Sequence, residues 1–236
     1  MQFIYTMRHF LSLLIAICAV TTASAQVKVL KPEGVFIVPD ISADEYVRMY
    51  EMLDSGTLNE EAVRILESSP LYSHFYSPGC SWYCGGSVAK IYASSCLSSQ
   101  GSNTYYASNL HDFNHETAWV EGVSDHGIGQ YIVYEFEMQC PRITTINILN
   151  GYVKNYNAWK ANSRVKKLRV YYNNTPIAIL ELEDSRSLQW FDIGVVGRTG
   201  NGPRWSLKFE IIEVYPGSKY QDTVISEIYF DGIDVH

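Results

Sequence analysis

The sequence has few positively charged residues and no long basic cluster. It contains 18 Lys and Arg against 25 Asp and Glu, which gives a formal net charge of −7. Its longest basic run is RVKK at residues 164–167. Nucleic acids and anionic membrane surfaces attract basic patches. The composition therefore argues against both as partners.

Long apolar runs are also missing after the first 25 residues, so no segment has the roughly 20 apolar residues of a membrane-spanning helix. Near the start, a short apolar run follows Arg8 and ends in the small residues ASA. This pattern is typical of a secretory signal peptide at residues 1–25, with cleavage after Ala25. We expect a soluble, secreted or periplasmic chain. Lipoprotein anchoring at Cys18 is a minor alternative, because Ile17 is not the small residue expected before a lipidated cysteine.

Cysteines are scarce. Of the five in the chain, one lies in the signal peptide and four follow it, at Cys80, Cys84, Cys96 and Cys140. An even set in an exported protein favours two disulfides, with three pairings open. A zinc site built from four thiolates is the alternative, but the spacing lacks the paired CxxC units that such sites use.

Helical patterns are confined to the N-terminal extension, residues 26–75. Ser42 and Glu45 occupy capping-box positions before an amphipathic stretch that ends at Gly56. A second short helix follows the cap residue Asn59 and stops before Pro70. Because helices this short are marginal alone, we expect the pair to dock on the domain that follows.

From Tyr76 onward, short strand patterns alternate with turn residues and no helical pattern intervenes. YIVYEFE alternates apolar and polar side chains, LRVYY and AILEL flank a turn at NNTP, and SLKFEII and SEIYF repeat the pattern. There are about eight such strands, which indicates an antiparallel all-β sandwich or jelly roll over residues 76–236.

The stretch NLHDFNHETAW, residues 109–119, concentrates groups that can bind metal. His111 and His115 are four residues apart, as in helical zinc sites, but their neighbours are poor helix formers and no third ligand motif follows. A calcium loop explains more, because Asp112, Asn114 and Thr117 offer oxygen ligands from a turning backbone. A polar loop without metal remains the alternative.

The same stretch resembles the N-x-x-D-x-[DN]-x-x-T-x-W loop of discoidin-like, galactose-binding-like sandwiches. ISEIYFDG at residues 225–232 resembles the second half of that signature. The resemblance implies that Trp119 anchors the core and that a structural calcium joins the loop to the last strand. The implied ligands are the side chains of Asp112, Thr117 and Glu227 and the carbonyls of Asn109, Asn114 and Ser226.

Three longer stretches narrow the resemblance to the NADase-type glycan-binding domain, over residues 87–235. They are TAWVEGVSDHGIGQYIVYEF, NGYVKNYNAWKANSRVKKLRVYYN and EVYPGSKYQDTVISEIYFDG. The resemblance implies a discoidin-like jelly roll that binds carbohydrate. It does not imply NADase activity, because we expect no room for a catalytic domain before Tyr76 or after His236.

Sugars are bound by aromatic faces together with amide and charged groups. GYVKNYNAWKANSR is too polar for a core strand and reads as an exposed loop with these groups: Tyr152, Lys154, Tyr156, Trp159, Asn162 and Arg164. Trp82 is a second candidate, because a Cys80–Cys84 bridge would push it outward. The alternative is structural: Tyr152 and Trp159 plug the sandwich end, Arg164 pairs with an acid such as Glu121, and Trp82 covers the helices.

Catalysis has weaker support. Ser124, Asp125 and His126 are of suitable types, but triads are assembled from separated segments, and no catalytic residue is assigned. We expect an exported noncatalytic module that binds cell-surface or extracellular carbohydrate. A protein-interaction or adhesion module of the cell envelope is the main alternative, and a hydrolase is the third.

Overall fold

The structure is a computed structural model that describes residues 27–39, 43–68, 81–198 and 200–234. The predicted signal peptide, Cys18 and Cys80 lie outside the described residues. The described residues form eleven strands: β1 Lys28–Leu30, β2 Gly34–Ile37, β3 Lys90–Ala93, β4 Trp119–Val120, β5 Tyr131–Glu137, β6 Ile143–Asn150, β7 Ser163–Tyr172, β8 Thr175–Glu181, β9 Ser187–Val196, β10 Arg204–Tyr215 and β11 Thr223–Gly232. The helices in this part of the chain are α1 Ala43–Asp54, α2 Glu60–Ser68 and α3 Tyr156–Ala161, with short 3-10 helices at Trp82–Cys84 and Ala107–His111.

Hydrogen bonds connect all eleven strands into a single sheet that folds over into two facing layers. One layer runs β2-β9-β6-β11, with β4 beside β11. The other runs β1-β8-β7-β10-β5-β3. The layers join where Thr223 and Val224 of β11 pair in parallel with Ser163 and Arg164 of β7. The predicted all-β, discoidin-like sandwich is confirmed.

The core between the layers follows from the alternation in the strand sequences. Ile132, Tyr134 and Phe136 of β5 are fully buried. The Tyr134 and Phe136 rings meet Phe230 of β11 at centroid distances of 5.0 and 5.3 Å. Fully burying one such side chain contributes about 1.5–3 kcal/mol, so the period-two pattern selects the face that turns inward.

The predicted turn after LRVYY is a tight hairpin between β7 and β8. Asn173 and Asn174 have φ angles of 45° and 67°. Asparagine tolerates this left-handed region better than most residues, and two consecutive residues there make the turn type that joins twisted antiparallel strands. The local sequence therefore determines the register of β7 and β8.

Two strands of the sandwich come from the N-terminal extension. β1 pairs in parallel with β8, and β2 pairs antiparallel with β9. The sequence patterns place the start of the sandwich at residue 76, whereas residues 28–37 already belong to it. At three and four residues, these strands are too short for a clear alternation pattern.

The two predicted N-terminal helices are present as α1 and α2. The Asn59 side chain accepts a hydrogen bond from the Ala62 amide at 2.8 Å, as the cap pattern predicts. Leu66 packs with Met49, Tyr50 and Leu58 in a cluster of the hairpin itself. Docking of the hairpin on the sandwich stays a prediction. No described helix is long and apolar enough to cross a membrane.

The prediction of two disulfides requires correction. Cys96 and Cys140 are both free thiols. In the antiparallel β3–β5 pair, Lys90 is opposite Glu135 and Ala93 is opposite Ile132. Cys96 follows Ala93 and Cys140 follows Glu137, so the two thiols lie at opposite ends of the pair. Cys140 is buried, and its Sγ donates to the Ser87 carbonyl at 3.6 Å.

Candidate functional site

Residues 112–117, called here the Asp112 loop, cross the outer surface of β11. The Thr117 hydroxyl donates to Asp112 Oδ2 at 2.7 Å, and the backbone amide of Asn114 donates to Asp112 Oδ1 at 3.0 Å. The same amide donates to Glu227 Oε1 of β11 at 2.9 Å. Asp112, Asn114, Thr117 and Glu227 are thus brought together, as the sequence signature predicts.

Glu227 is a buried carboxyl with one uncommitted oxygen. Its Oε2 has no hydrogen-bond partner in the described part of the chain. Burial raises the pKa of Glu227 well above its ordinary value and Asp112 raises it further, while contacts with Tyr229 and the Asn114 amide lower it. Two neighbouring carboxyl groups with an uncommitted oxygen favour a bound cation, so the residues fit a hard metal ion such as calcium.

The remaining residues of the predicted metal set have structural side chains. The Asn109 amide donates to the Thr104 and Ala118 carbonyls at 2.8 and 3.1 Å. The Ser226 hydroxyl donates to the Gly151 carbonyl at 2.9 Å. Only their carbonyls are left for a cation, as the resemblance implies. Trp119 is fully buried and donates from Nε1 to the Ser95 carbonyl at 3.0 Å, so it is a core anchor.

The two histidines of the stretch do not form a zinc site. His111 donates from Nδ1 to the Ile228 carbonyl at 2.9 Å, and its ring packs against Tyr83 and Phe230. Burial lowers the pKa of both His111 and His115. Among the described residues, no group of three or more His, Cys, Asp or Glu is placed to hold a metal ion.

Trp82 is not an exposed ligand contact, which corrects the prediction that it projects outward. Its exposed fraction is 0%, and its Nε1 donates to the Pro141 carbonyl at 3.0 Å. The ring packs edge-on against Phe136 and Phe230. Whether Trp82 is buried or exposed depends on its contacts with residues far along the chain. The local sequence CSWYCGG does not contain that information.

Trp159 and Arg164 also serve the fold. Trp159 is 8% exposed and donates to the Asn150 carbonyl at 3.0 Å. Arg164 stacks on its ring, with the guanidinium carbon 4.6 Å from the centroid. The guanidinium pairs with both oxygens of Asp184, at 2.9 and 3.0 Å. These two residues follow the structural alternative, with Asp184 in place of Glu121 as the acid.

Lys154 and Tyr156 are exposed beside α3, and Tyr156 retains 50% exposure. Lys154 precedes the helix and Tyr156 is its first residue. Neither lines a described cavity.

Tyr152 and Asn162, by contrast, line a cavity of about 260 Å³ between α3, β4 and the segment before β11. We call it the tyrosine cavity, because Tyr105, Tyr152 and Tyr220 all face it. Its other lining residues are Leu97, Gln100, Val120, Ala158, Ala161 and Asp222. Tyr220 and Asp222 lie in EVYPGSKYQDTVISEIYFDG, one of the stretches that carry the family resemblance, so the sequence could have pointed to them as site residues. Gln100 and Tyr105 gave no such signal.

The polar atoms of the tyrosine cavity are largely uncommitted. No hydrogen bond within the described chain uses the Asp222 carboxylate or the hydroxyls of Tyr105, Tyr152 and Tyr220, whereas the Asn162 amide donates to the Ala158 carbonyl at 2.9 Å. Partial burial raises the pKa of Tyr152, and Tyr105 and Glu116 nearby raise it further. Convergent polar groups around aromatic rings are typical of small-ligand sites.

A larger open groove of about 470 Å³ lies beside the Asp112 loop. Its rings are Tyr83, His111 and Phe113. The Tyr83 hydroxyl accepts the Phe230 amide at 3.1 Å, and His111 is held by Ile228. The polar atoms of Tyr83 and His111 therefore already have partners within the fold.

Ser124, Asp125 and His126 do not form a catalytic triad. Asp125 accepts the Gly127 amide at 2.8 Å, and His126 Nδ1 lies 3.0 Å from the Ser163 hydroxyl. Ser163 is fully buried and accepts the Gly217 amide at 3.1 Å. These bonds hold the loop against β7, which gives them a structural role.

Comparison with known proteins identifies one family. The model of the NAD glycohydrolase translocation F5/8 type C domain matches residues 82–231. No curated protein matches the chain.

Several solved structures are similar. A family 32 carbohydrate-binding module from C. perfringens NanJ, in complex with galactose, is 18% identical with a TM-score of 0.40, covering 60% of this chain and 91% of that chain. A putative chitobiase fragment from Bacteroides thetaiotaomicron is 16% identical with a TM-score of 0.44, over 64% and 91%. The mycobacterial arabinofuranosyltransferase AftD is 16% identical with a TM-score of 0.41, over 62% of this chain but only 12% of the enzyme.

Proposed function

The chain belongs to the NAD glycohydrolase translocation F5/8 type C domain family, and we propose that it is an exported, noncatalytic module that binds carbohydrate in the tyrosine cavity. The observation that carries this proposal is the set of uncommitted polar atoms around three tyrosine rings. A sugar ring presents apolar C–H patches that stack on aromatic faces, and hydroxyls that hydrogen-bond to carboxylates and amides.

The contrast within the predicted ligand residues supports this location. Tyr152 and Asn162 line the cavity, while Trp159 and Arg164 have their polar atoms bound inside the fold. A ligand at Arg164 would have to break the ion pair with Asp184. A ligand at the Asp222 carboxylate or the tyrosine hydroxyls of the cavity breaks no ion pair of this kind.

A glycan screen of the full chain tests the proposal, with Tyr220→Ala and Tyr156→Ala as a matched pair. Both tyrosines are about half exposed, at 44% and 50%, but only Tyr220 faces the cavity. We expect Tyr220→Ala to abolish sugar binding and Tyr156→Ala to retain it. The opposite result would move the site to the surface of α3. Absence of any sugar ligand, with specific capture of an envelope protein, would favour the adhesion alternative.

Calcium is proposed as a structural cofactor of the same module. Asp112, Thr117 and Glu227, with the carbonyls of Asn109, Asn114 and Ser226, would hold it. When bound, the ion supplies positive charge between the two carboxyl groups. The chain's own part is to hold the Asp112 loop on β11, which the Asn114 to Glu227 bond does directly.

Export and the lack of catalysis have their own tests. N-terminal sequencing of the protein released by its host is expected to begin at Gln26. A hydrolytic activity that is lost in Asp125→Ala or His126→Ala would contradict the noncatalytic proposal.

A further inference from the structure

The tyrosine cavity has a single charged residue in its lining, and its charge is negative. Asp222 is that residue, with no Lys, Arg or His among the other lining side chains. More acids stand close by: Asp222 and Asp125 both raise the pKa of buried Glu121, and Glu116 raises that of Tyr152. The lining of the cavity therefore carries a net negative charge.

Two of the basic residues near the lining in sequence, Arg164 and Lys160, have partners outside it. Arg164 is held in its ion pair with Asp184. The Lys160 ammonium lies 5.9 Å from the Tyr156 ring centroid, outside the cavity. The Lys219 ammonium lies 4.8 Å from the Tyr220 ring centroid, so a cation of the chain itself already contacts this lining ring.

Three tyrosine rings and one carboxylate around a small space are the elements of an ammonium-binding cage. Aromatic faces attract cations, most strongly where water is partly excluded. A carboxylate adds a charge-assisted hydrogen bond to any N–H that the cation carries. An acidic ligand would meet Asp222 without a compensating cation from the lining.

We infer that the tyrosine cavity selects a sugar bearing a protonated amino group over its neutral, N-acetylated and acidic counterparts. This inference rests on the proposed function, since it takes the cavity as the saccharide site. To the proposed sugar binding it adds that the ligand is positively charged. Asp222 is the residue that determines this specificity for charge.

The experiment titrates the full chain with four matched probes: the methyl glycosides of glucosamine, glucose, N-acetylglucosamine and glucuronic acid. Binding is followed by calorimetry or by NMR shifts of the protein at low salt. We expect the glucosamine probe to bind at least about tenfold more tightly than glucose, a difference of about 1.4 kcal/mol. Raising the salt concentration is expected to reduce this preference.

Asp222→Asn is the decisive variant, because it removes the charge and keeps the shape. It is expected to lower glucosamine affinity about tenfold and glucose affinity by less, so that the preference for glucosamine is lost. Asp192→Asn is the matched control: Asp192 is an exposed β9 acid, and its Oδ1 accepts the Gly194 amide, a bond that asparagine keeps. The control should bind all four probes as the parent chain does.

The outcomes separate this inference from the proposed function. If glucose or glucuronic acid binds as well as glucosamine, and Tyr220→Ala abolishes that binding, the ammonium inference is overturned and the cavity remains a sugar site. If no probe or screened glycan binds, or binding is indifferent to Tyr220→Ala, both fail. Competition by choline as strong as that by glucosamine would overturn the amino-sugar inference, because choline has neither a sugar ring nor an N–H.

Discussion

The Asp112 loop and the tyrosine cavity are both rich in polar side chains, yet the structure uses them differently. In the loop, the Thr117 hydroxyl bonds to Asp112, and the Asn114 backbone amide bonds to Glu227 of β11. In the cavity, the Asp222 carboxylate and three tyrosine hydroxyls have no such bond within the described chain. The loop therefore holds the scaffold, and the cavity is available to a ligand.

The difference shows that the type of a residue predicts ligand binding less well than whether its polar atoms are already hydrogen-bonded within the fold. Trp82, Trp159 and Arg164 are of the types that bind sugars, but each has its polar atoms bound to the fold. A ligand that binds these atoms has to break hydrogen bonds of the fold, which costs free energy. A group without such a bond carries no such cost. Four experiments can test the distinction between residues that hold the fold and residues that are available to a ligand.

Trp82→Ala should have the largest effect on stability. Removing a fully buried aromatic side chain costs about 3–5 kcal/mol, because apolar contacts are lost and a cavity is left. The free energy of unfolding from denaturant titration measures this. Trp82→Phe is the control and should cost less. Unchanged stability with lost sugar binding would restore Trp82 as a ligand contact.

Calcium should stabilise the Asp112 loop by a smaller amount. A ligand that binds only the folded chain adds about 2.7 kcal/mol at a concentration of a hundred times its Kd. We expect excess calcium to raise Tm, and chelator or Asp112→Ala to remove that increase. Asp192→Ala should leave the calcium response intact. A Tm that is indifferent to calcium and chelator would reduce the loop to a metal-free polar contact.

Glu227→Gln should act in opposite directions with and without calcium. The pKa of Glu227 is raised in the folded chain, so without calcium its contribution to stability is present at acid pH and is lost as pH rises through the folded pKa. In chelator, glutamine should flatten this pH dependence and stabilise the chain near neutral pH. In calcium, the same variant should be the less stable. Equal pH profiles for both chains in chelator would contradict the assignment.

Asp222→Asn should have the smallest effect on folding. Asp222 is half-buried at the cavity and its carboxylate holds no other element, so the change in unfolding free energy should stay within about 0.5 kcal/mol. Sugar binding should change in the same protein. A loss of stability comparable to that of Trp82→Ala would place Asp222 in the scaffold instead.

Much of the fold follows from local sequence. The alternation in YIVYEFE defines the buried face of β5, paired asparagines give the β7–β8 turn, and Asn59 starts α2. These features depend on side-chain periodicity and backbone preference within a few residues, which a sequence displays directly. Two motifs in the right order predicted that the Asp112 loop meets Glu227, and the structure joins them through the Asn114 backbone amide.

Only the tertiary structure decided which polar and aromatic side chains have their hydrogen-bonding and packing partners within the fold. Arg164 is satisfied by Asp184, twenty residues later, and Trp82 by Pro141 and Phe230. The tyrosine cavity gathers Gln100, Tyr152 and Asp222 from three distant segments. Burial and hydrogen bonding between such segments depend on how the two layers close, and no local pattern carries that information. The sequence thus determined the sandwich and its Asp112 loop, while the packing of the layers determined where a ligand has room and free partners.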